Sequence, residues 1–219
     1  MTFDEILKTS LVFAHFFASA VALAAILRAD FFILTRYGSA LTAKSCARIH
    51  GVKRVVGPAL LVLWLTGLAI CFHGYLHAPA YLTNQKLWMK VMVVLTLTLN
   101  GWFLHRHAFR HIRPGVCLAE LAPRTRRGLI AMGSLSSGSW LFACFLGIAR
   151  ALNNKPNLVD LAGVYLLMLG LVFAGGVLVT HMLDTWGRRG FPVSSRWAGR
   201  LLGTIRPGVD RGQESELQI

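Results

Sequence analysis

Charged residues are scarce in this chain. Only 15% of its 219 residues are charged, and the acidic ones number 9 against 23 Lys and Arg. An average soluble domain carries about 25% charged residues. Hydrophobic residues instead make up 55% of the chain, and the mean hydropathy is +0.56. This composition excludes an intrinsically disordered chain and argues against a soluble globular one.

Cysteine is also rare, and the common catalytic motifs are missing. The four cysteines are widely separated and form no Cys-x-x-Cys pair, which argues against a zinc cluster or a disulfide framework. The chain has no Walker motif, no nucleophile elbow and no His-Glu-x-x-His sequence. Paired carboxylates are missing as well. Hydrolysis and ATP-driven transport are therefore not expected.

Long apolar runs dominate what the chain does have. A helix needs roughly 20 apolar residues to cross a hydrocarbon core of about 30 Å. Five segments meet this requirement, and we expect helices because lipid offers no partner to an open sheet edge. They cover residues 10–34, 55–72, 87–104, 129–148 and 158–183. We predict an all-α fold, a five-helix transmembrane bundle over residues 1–187, followed by a basic tail over 188–219.

The basic residues alternate in register with these five segments. Eighteen of them fall on one side: 17 in the regions after the first, third and fifth segments, and Arg28 near the end of the first segment. The other side carries only five, namely Lys8, Lys86, Lys90, Arg150 and Lys155. Cytoplasmic loops are enriched in Lys and Arg, so we predict an outside N-terminus and a cytoplasmic C-terminus in a bacterial-type inner membrane. The bilayer accounts for most of the net charge of +14, and no nucleic-acid partner is expected.

Two further patterns concern the two ends of the chain. In residues 194–206, apolar residues recur at helical spacing beside arginines, which is typical of a helix lying on the cytoplasmic leaflet. A frayed polar tail is the alternative. The first ten residues lack the basic start of a cleaved signal peptide, so we expect the first apolar run to be retained as an anchor.

Small residues within the apolar segments predict close helix packing. Such pairs are Ala18 with Ala22, Gly133 with Ser137 and Gly138, and Gly170 with Ala174.

Histidines are the candidate ligands for a cofactor. His15 lies among phenylalanines in the first segment, and His73 follows the second segment on the same predicted side. Neutral imidazole binds haem iron and other metals, so these two could hold a haem b. His181 with His105 or His50 is the alternative pair on the other side. The competing interpretation is that each histidine contacts only headgroups or water.

His15 is the strongest of these candidates. A histidine in lipid is costly unless it faces the bundle. Ala18, Ser19 and Ala22 share its helical face, so we predict that His15 points inward.

Three charged residues in the apolar segments need an explanation. Arg28 could reach the cytoplasmic interface, and we expect Asp30 to pair with Lys53 or Arg54. Lys90 opens an otherwise apolar segment, where it could extend to the interface or contact a haem propionate.

Residues 8–106 resemble a known membrane family. The pattern consists of three runs in order, LVFAHFFASAVALAAILRADFF, RVVGPALLVLWLTGLAI and KLWMKVMVVLTLTLNGW. It is similar to the HemJ-type protoporphyrinogen oxidases, and more loosely to CopD-like copper-resistance membrane proteins. The resemblance implies haem binding and activity at His15 and Lys90, with Arg28 as the basic residue of the first helix. Asn100 stands where the family pattern has a histidine.

The leading hypothesis is therefore an inner-membrane protein that binds haem b or a metal, through His15 as the iron ligand. A redox role such as porphyrin oxidation would follow, with haem or porphyrin as the small-molecule partner. The alternatives are a small permease or metal-ion carrier, and a non-catalytic subunit of a membrane complex. A homo-oligomer is left open.

Overall fold

The computed structural model describes residues 2–149 and 157–188. These residues are nearly all helical, as predicted. The main helices are α1 (Phe3–Thr35), α2 (Ala43–Gly51), α3 (Lys53–His77), α4 (Gln85–Phe103), α5 (Pro123–Ile148) and α6 (Leu158–Arg188). Within the described residues, β pairing is limited to one isolated bridge between Ala40 and Cys117.

Five helical segments are long and apolar enough to cross a membrane. They are Phe3–Thr35, Ala43–His77, Gln85–His111, Pro123–Ile148 and Leu158–Trp186. Many large apolar side chains on them are exposed, among them Leu166, Leu171 and Phe72 at about two-thirds of their surface. Such a surface is unfavourable in water and is expected in lipid. The prediction of five segments able to span a membrane is confirmed.

The helices extend beyond the apolar segments from which they were predicted. α1 begins at Phe3 because Thr2 and Glu5 form a capping box, in which each side chain accepts the other's backbone N–H at 3.3 and 2.9 Å. α5 begins at Pro123, six residues before the predicted segment, because proline is well suited to the first helical position. Polar first turns therefore project from the apolar part of the bundle.

The core of the bundle lies where α1 and α5 meet their neighbours. α1 packs on α3 and α5, and α5 packs on α4 and α6. The core residues with almost no exposed surface include Ala22, Leu63, Val93, Trp140 and Phe142. A second, smaller apolar cluster closes one end of the bundle. It consists of Tyr37, Leu41, Cys46, Ile49, Ile112 and Leu118.

The predicted small-residue contacts are formed in α1 and α5 but not in α6. Ala18, Ala22 and Gly138 are buried. Gly170 and Ala174 are exposed, so their predicted packing role is wrong. α6 turns a different face toward α5. A Cβ added to Gly176 would lie 3.0 Å from Cγ2 of Ile130 on α5, so the close approach is made there.

α4 ends irregularly. Its last α-helical residue is Phe103, and a π-helical turn over Leu104–Ala108 leads into a short 3₁₀ turn over Phe109–His111. Nearly all of the basic tail predicted over residues 188–219, including the interfacial helix predicted over 194–206, lies outside the described residues.

Candidate functional site

His15 faces the interior of the bundle, as its pattern predicts. Its Nδ1 lies 2.9 Å from Oγ1 of Thr66 on α3. Its neighbours on the same face of α1, Ala18, Ser19 and Ala22, are buried. The imidazole also lies against Gly67, where an added Cβ would be 3.5 Å from Cε1 of the ring. A small residue at this point lets the ring approach α3.

The hydrogen bonds of Thr66 determine which nitrogen of His15 carries the proton. The Thr66 hydroxyl donates to the backbone carbonyl of Val62 at 2.6 Å, so its single proton is used there. The hydroxyl must therefore accept from His15, and Nδ1 carries the hydrogen. In the neutral ring, Nε2 is then left with a free lone pair. This is the arrangement in which a second group orients a metal-ligating histidine.

Lys90 contributes a cation to the same region. It lies partly buried on α4 and interacts electrostatically with His15 and Cys71. Within residues 2–149 and 157–188, its ammonium group has neither a hydrogen-bond acceptor nor a carboxylate partner. Lys86, one turn earlier, donates to the carbonyl of Ala149. Lys90 is therefore the cation of this pair that an anionic ligand could engage.

His73 does not join His15. It lies seven residues beyond Thr66 on α3, a rise of about 10 Å. Its Nε2 is 2.7 Å from Oδ1 of Asp4, near the start of α1. Asp4 also contacts His77, so the structure groups His73 with a carboxylate and a second histidine. The sequence placed His73 and His77 on the same predicted side, but it gave no signal that Asp4 would join them.

The histidines proposed as the other pair are not brought together. His181 is exposed on α6. Nε2 of His50 lies 3.2 Å from the carbonyl of Ile112. The ring centroid of Phe109 is 5.0 Å from that of His50 and 5.3 Å from that of His105. His50 therefore serves to hold the irregular end of α4.

The two charged residues late in α1 have separate environments. Arg28 is exposed and lies 13 residues beyond His15, which is about 20 Å along the helix. Asp30 accepts a hydrogen bond from Ser137 of α5. The predicted pairing of Asp30 with Lys53 or Arg54 is wrong, because both basic side chains are exposed at the start of α3 while α1 packs on α5 here.

Asp30 lies in the wall of a cavity of about 470 Å³ between α1, α5 and α6. The walls are mostly apolar, and Ser134, Ser137 and Thr180 add hydroxyl groups to the carboxylate. Among the residues that the structure describes, no histidine lines this cavity. It is therefore a second region, separate from His15.

Tyr37 and Arg126, which also line this cavity, belong to a polar network that joins three parts of the chain. Tyr37 donates to Oδ1 of Asp184 at 3.0 Å, and Nη1 of Arg126 lies 3.1 Å from Oδ2 of the same carboxylate. Burial and the hydrogen bond to Asp184 raise the pKa of Tyr37 to about 12, so the phenol stays protonated as the donor. Arg126 and Asp184 flank different apolar segments on the same predicted side of the membrane, which is the signal that could have revealed this pair.

Comparison of the chain with protein-family models, with curated proteins and with solved structures found no match. The HemJ-type resemblance of residues 8–106 stays a prediction.

Proposed function

We propose that the chain is a multi-pass membrane protein that binds haem b through His15 and has a redox role. The observation that carries the proposal is the hydrogen bond from His15 Nδ1 to Thr66, 2.9 Å long, which leaves Nε2 as a free lone-pair donor. A neutral imidazole with its other nitrogen held by a partner is the usual form of an axial ligand.

Two residues in this region have the chemistry that such a group needs. Nε2 of His15 would ligate the iron, and the ammonium group of Lys90 would neutralise a propionate carboxylate. When bound, haem would supply one-electron chemistry at its iron. The chain's own part is to fix the imidazole through Thr66 and to hold the Lys90 cation where no carboxylate of the described residues competes for it.

The visible absorption spectrum of the purified protein tests this proposal. Membranes from cells grown with a haem precursor should yield protein with a Soret band that shifts on reduction with dithionite. A colourless protein that also fails to take up added haem would exclude the proposal.

The proposal includes an orientation. The excess of basic residues in the loops after α1 and α4 and in the tail supports an outside N-terminus and a cytoplasmic C-terminus in a bacterial-type inner membrane. A reporter that is active only in the cytoplasm should work when fused after Arg113 and fail after Ala78. The opposite result would reverse the orientation.

A small permease is the second candidate, and the 470 Å³ cavity favours it. Asp30 and the nearby hydroxyls would bind the polar end of a substrate whose apolar part fills the rest. Uptake into vesicles that Asp30→Asn abolishes and His15→Ala leaves intact would support this candidate over haem binding. A protein with neither activity would act as a packing subunit, either with its own copies or in a larger complex.

A further inference from the structure

The start of α1 and the end of α3 bring one carboxylate and two imidazoles together. Nε2 of His73 lies 2.7 Å from Oδ1 of Asp4, and Nε2 of His77 lies 3.4 Å from Oδ2 of the same carboxylate. The two histidines are four residues apart, one turn of α3, and their rings stack with centroids 4.4 Å apart. One ligand atom from each of the three residues falls within 4.8 Å of the others.

The proton positions in this cluster point to a cation. Nδ1 of His77 is 2.9 Å from the backbone carbonyl of His73. A carbonyl only accepts, so this nitrogen carries a hydrogen, and Nε2 of neutral His77 has only a lone pair. Oδ2 of Asp4, 3.4 Å from this nitrogen, is also only an acceptor, whereas Oδ1 of Asp4 already accepts a hydrogen bond from Nε2–H of His73 at 2.7 Å. A proton on His77 would favour this contact, and so would a metal ion that takes the place of the protons on His73 and His77.

The donor set matches a borderline transition-metal ion. Imidazole nitrogen and carboxylate oxygen both bind Zn²⁺ at about 2.0–2.2 Å, and a site with three protein ligands leaves the fourth tetrahedral position for water or substrate. Two histidines at i and i+4 on one helical face are a known zinc-binding arrangement. The backbone contact of His77 also fixes its ring, as an outer-shell partner does in metal sites.

The cluster is exposed at the start of α1 and the end of α3. The side chains of Asp4 and His77 are about half exposed, at 49% and 56%, whereas His73 is 14% exposed. An ion could therefore enter from the aqueous phase at this end of the bundle. His73 forms the buried base of the site, and Asp4 and His77 form its rim.

We propose that Asp4, His73 and His77 form a binding site for a divalent transition-metal ion, with Zn²⁺ as the best-fitting probe. The site lies apart from His15, and it does not depend on the haem proposal. Ion binding would join the start of α1 to the end of α3. Asp4 and His73, which meet there, are 69 residues apart in sequence.

The test uses full-length protein in detergent, purified without a histidine tag and stripped with a chelator. Zn²⁺ alone is titrated by calorimetry, and bound metal is counted by mass spectrometry after dialysis. The variants are Asp4→Asn and His77→Ala. Both positions are half exposed, so the helices should remain folded, which the thermal unfolding of metal-free protein checks.

Two matched variants serve as controls. Glu5→Gln removes the neighbouring carboxylate while keeping a glutamine that can complete the capping box. His107→Ala removes an exposed histidine in the π-helical turn that follows α4.

The parent and both controls should bind one Zn²⁺ per chain, and binding should raise the melting temperature. Loss of an outer-shell partner alone costs about 10- to 100-fold in metal affinity. Loss of a ligand in Asp4→Asn or His77→Ala should therefore weaken binding at least about tenfold. Equal affinity in Asp4→Asn and Glu5→Gln would overturn the proposal, as would a parent that binds no Zn²⁺. His15→Ala should keep the Zn²⁺ affinity, so failure of the haem proposal would be seen separately.

Discussion

Replacing Thr66 with valine tests how His15 is oriented. Valine has nearly the shape of threonine but no hydroxyl, so Thr66→Val removes the acceptor of the His15 Nδ1 proton, which lies at 2.9 Å. The Nδ1–H group then has no partner from Thr66, and the proton is free to move to Nε2. In the haem-binding account, a protonated Nε2 cannot ligate iron, so haem affinity should fall.

The size of the loss follows from the environment of the bond. Thr66 is 9% exposed and its partner lies on another helix, so this is an interhelical hydrogen bond within the bundle. Such bonds are worth about 0.6 kcal/mol on average and up to about 1.7 kcal/mol within a membrane. At 1.36 kcal/mol per tenfold change, the affinity for haem should fall by about 3- to 20-fold.

The assay is a titration of apoprotein with haem, followed by absorbance. Thr98→Val is the matched control, because Thr98 on α4 also bonds back to its own helix and accepts from another helix, through Nε1 of Trp64 at 3.1 Å. Its loss should leave haem affinity unchanged. Equal affinities for the parent and Thr66→Val would refute the role given to this hydrogen bond, as would an equal loss in Thr98→Val.

Two further predictions concern stability. Gly74→Ala should lower the melting temperature, because the added Cβ would lie 2.5–2.8 Å from three ring atoms of Tyr81. The control is Gly101→Ala, whose added Cβ meets nothing within 4 Å, so this change should be neutral or should stabilise the fold by up to about 1 kcal/mol. A double-mutant cycle with Arg126→Met and Asp184→Asn should give a coupling of about 1–3 kcal/mol, between the values of exposed and buried ion pairs, because the two side chains are 26% and 14% exposed. If Gly74→Ala and Gly101→Ala had the same melting temperature, the contact of Gly74 with Tyr81 would be contradicted. If the stability losses of Arg126→Met and Asp184→Asn were additive, the Arg126–Asp184 ion pair would be contradicted.

The helices could be predicted from the sequence because their cause is local. Apolar runs long enough to cross a membrane must be helical, and all five appear in the structure. The inward direction of His15 was also predictable, since residues three, four and seven positions away share its face. The ends of the helices were less clear, because caps such as that of Thr2 with Glu5 extend a helix into polar sequence.

Partners across the bundle could not be predicted in the same way. Asp4 meets His73 and Asp30 meets Ser137 through helix packing that joins residues 69 and 107 positions apart. The choice of Gly176 rather than Gly170 as the contact between α5 and α6 depends on the rotation of α6. Several faces of that helix are rich in small and apolar residues, so hydropathy alone does not select one.

The haem content of purified His15→Ala, set beside that of the parent and of His107→Ala, tests the central claim most directly. His107 is exposed and stacks on Phe103 at 6.1 Å, so its loss leaves the region of His15 untouched. The account predicts haem in the parent and in His107→Ala, and its loss or a shifted Soret band in His15→Ala. Equal haem content with identical spectra in all three proteins, or no haem in the parent, would contradict it.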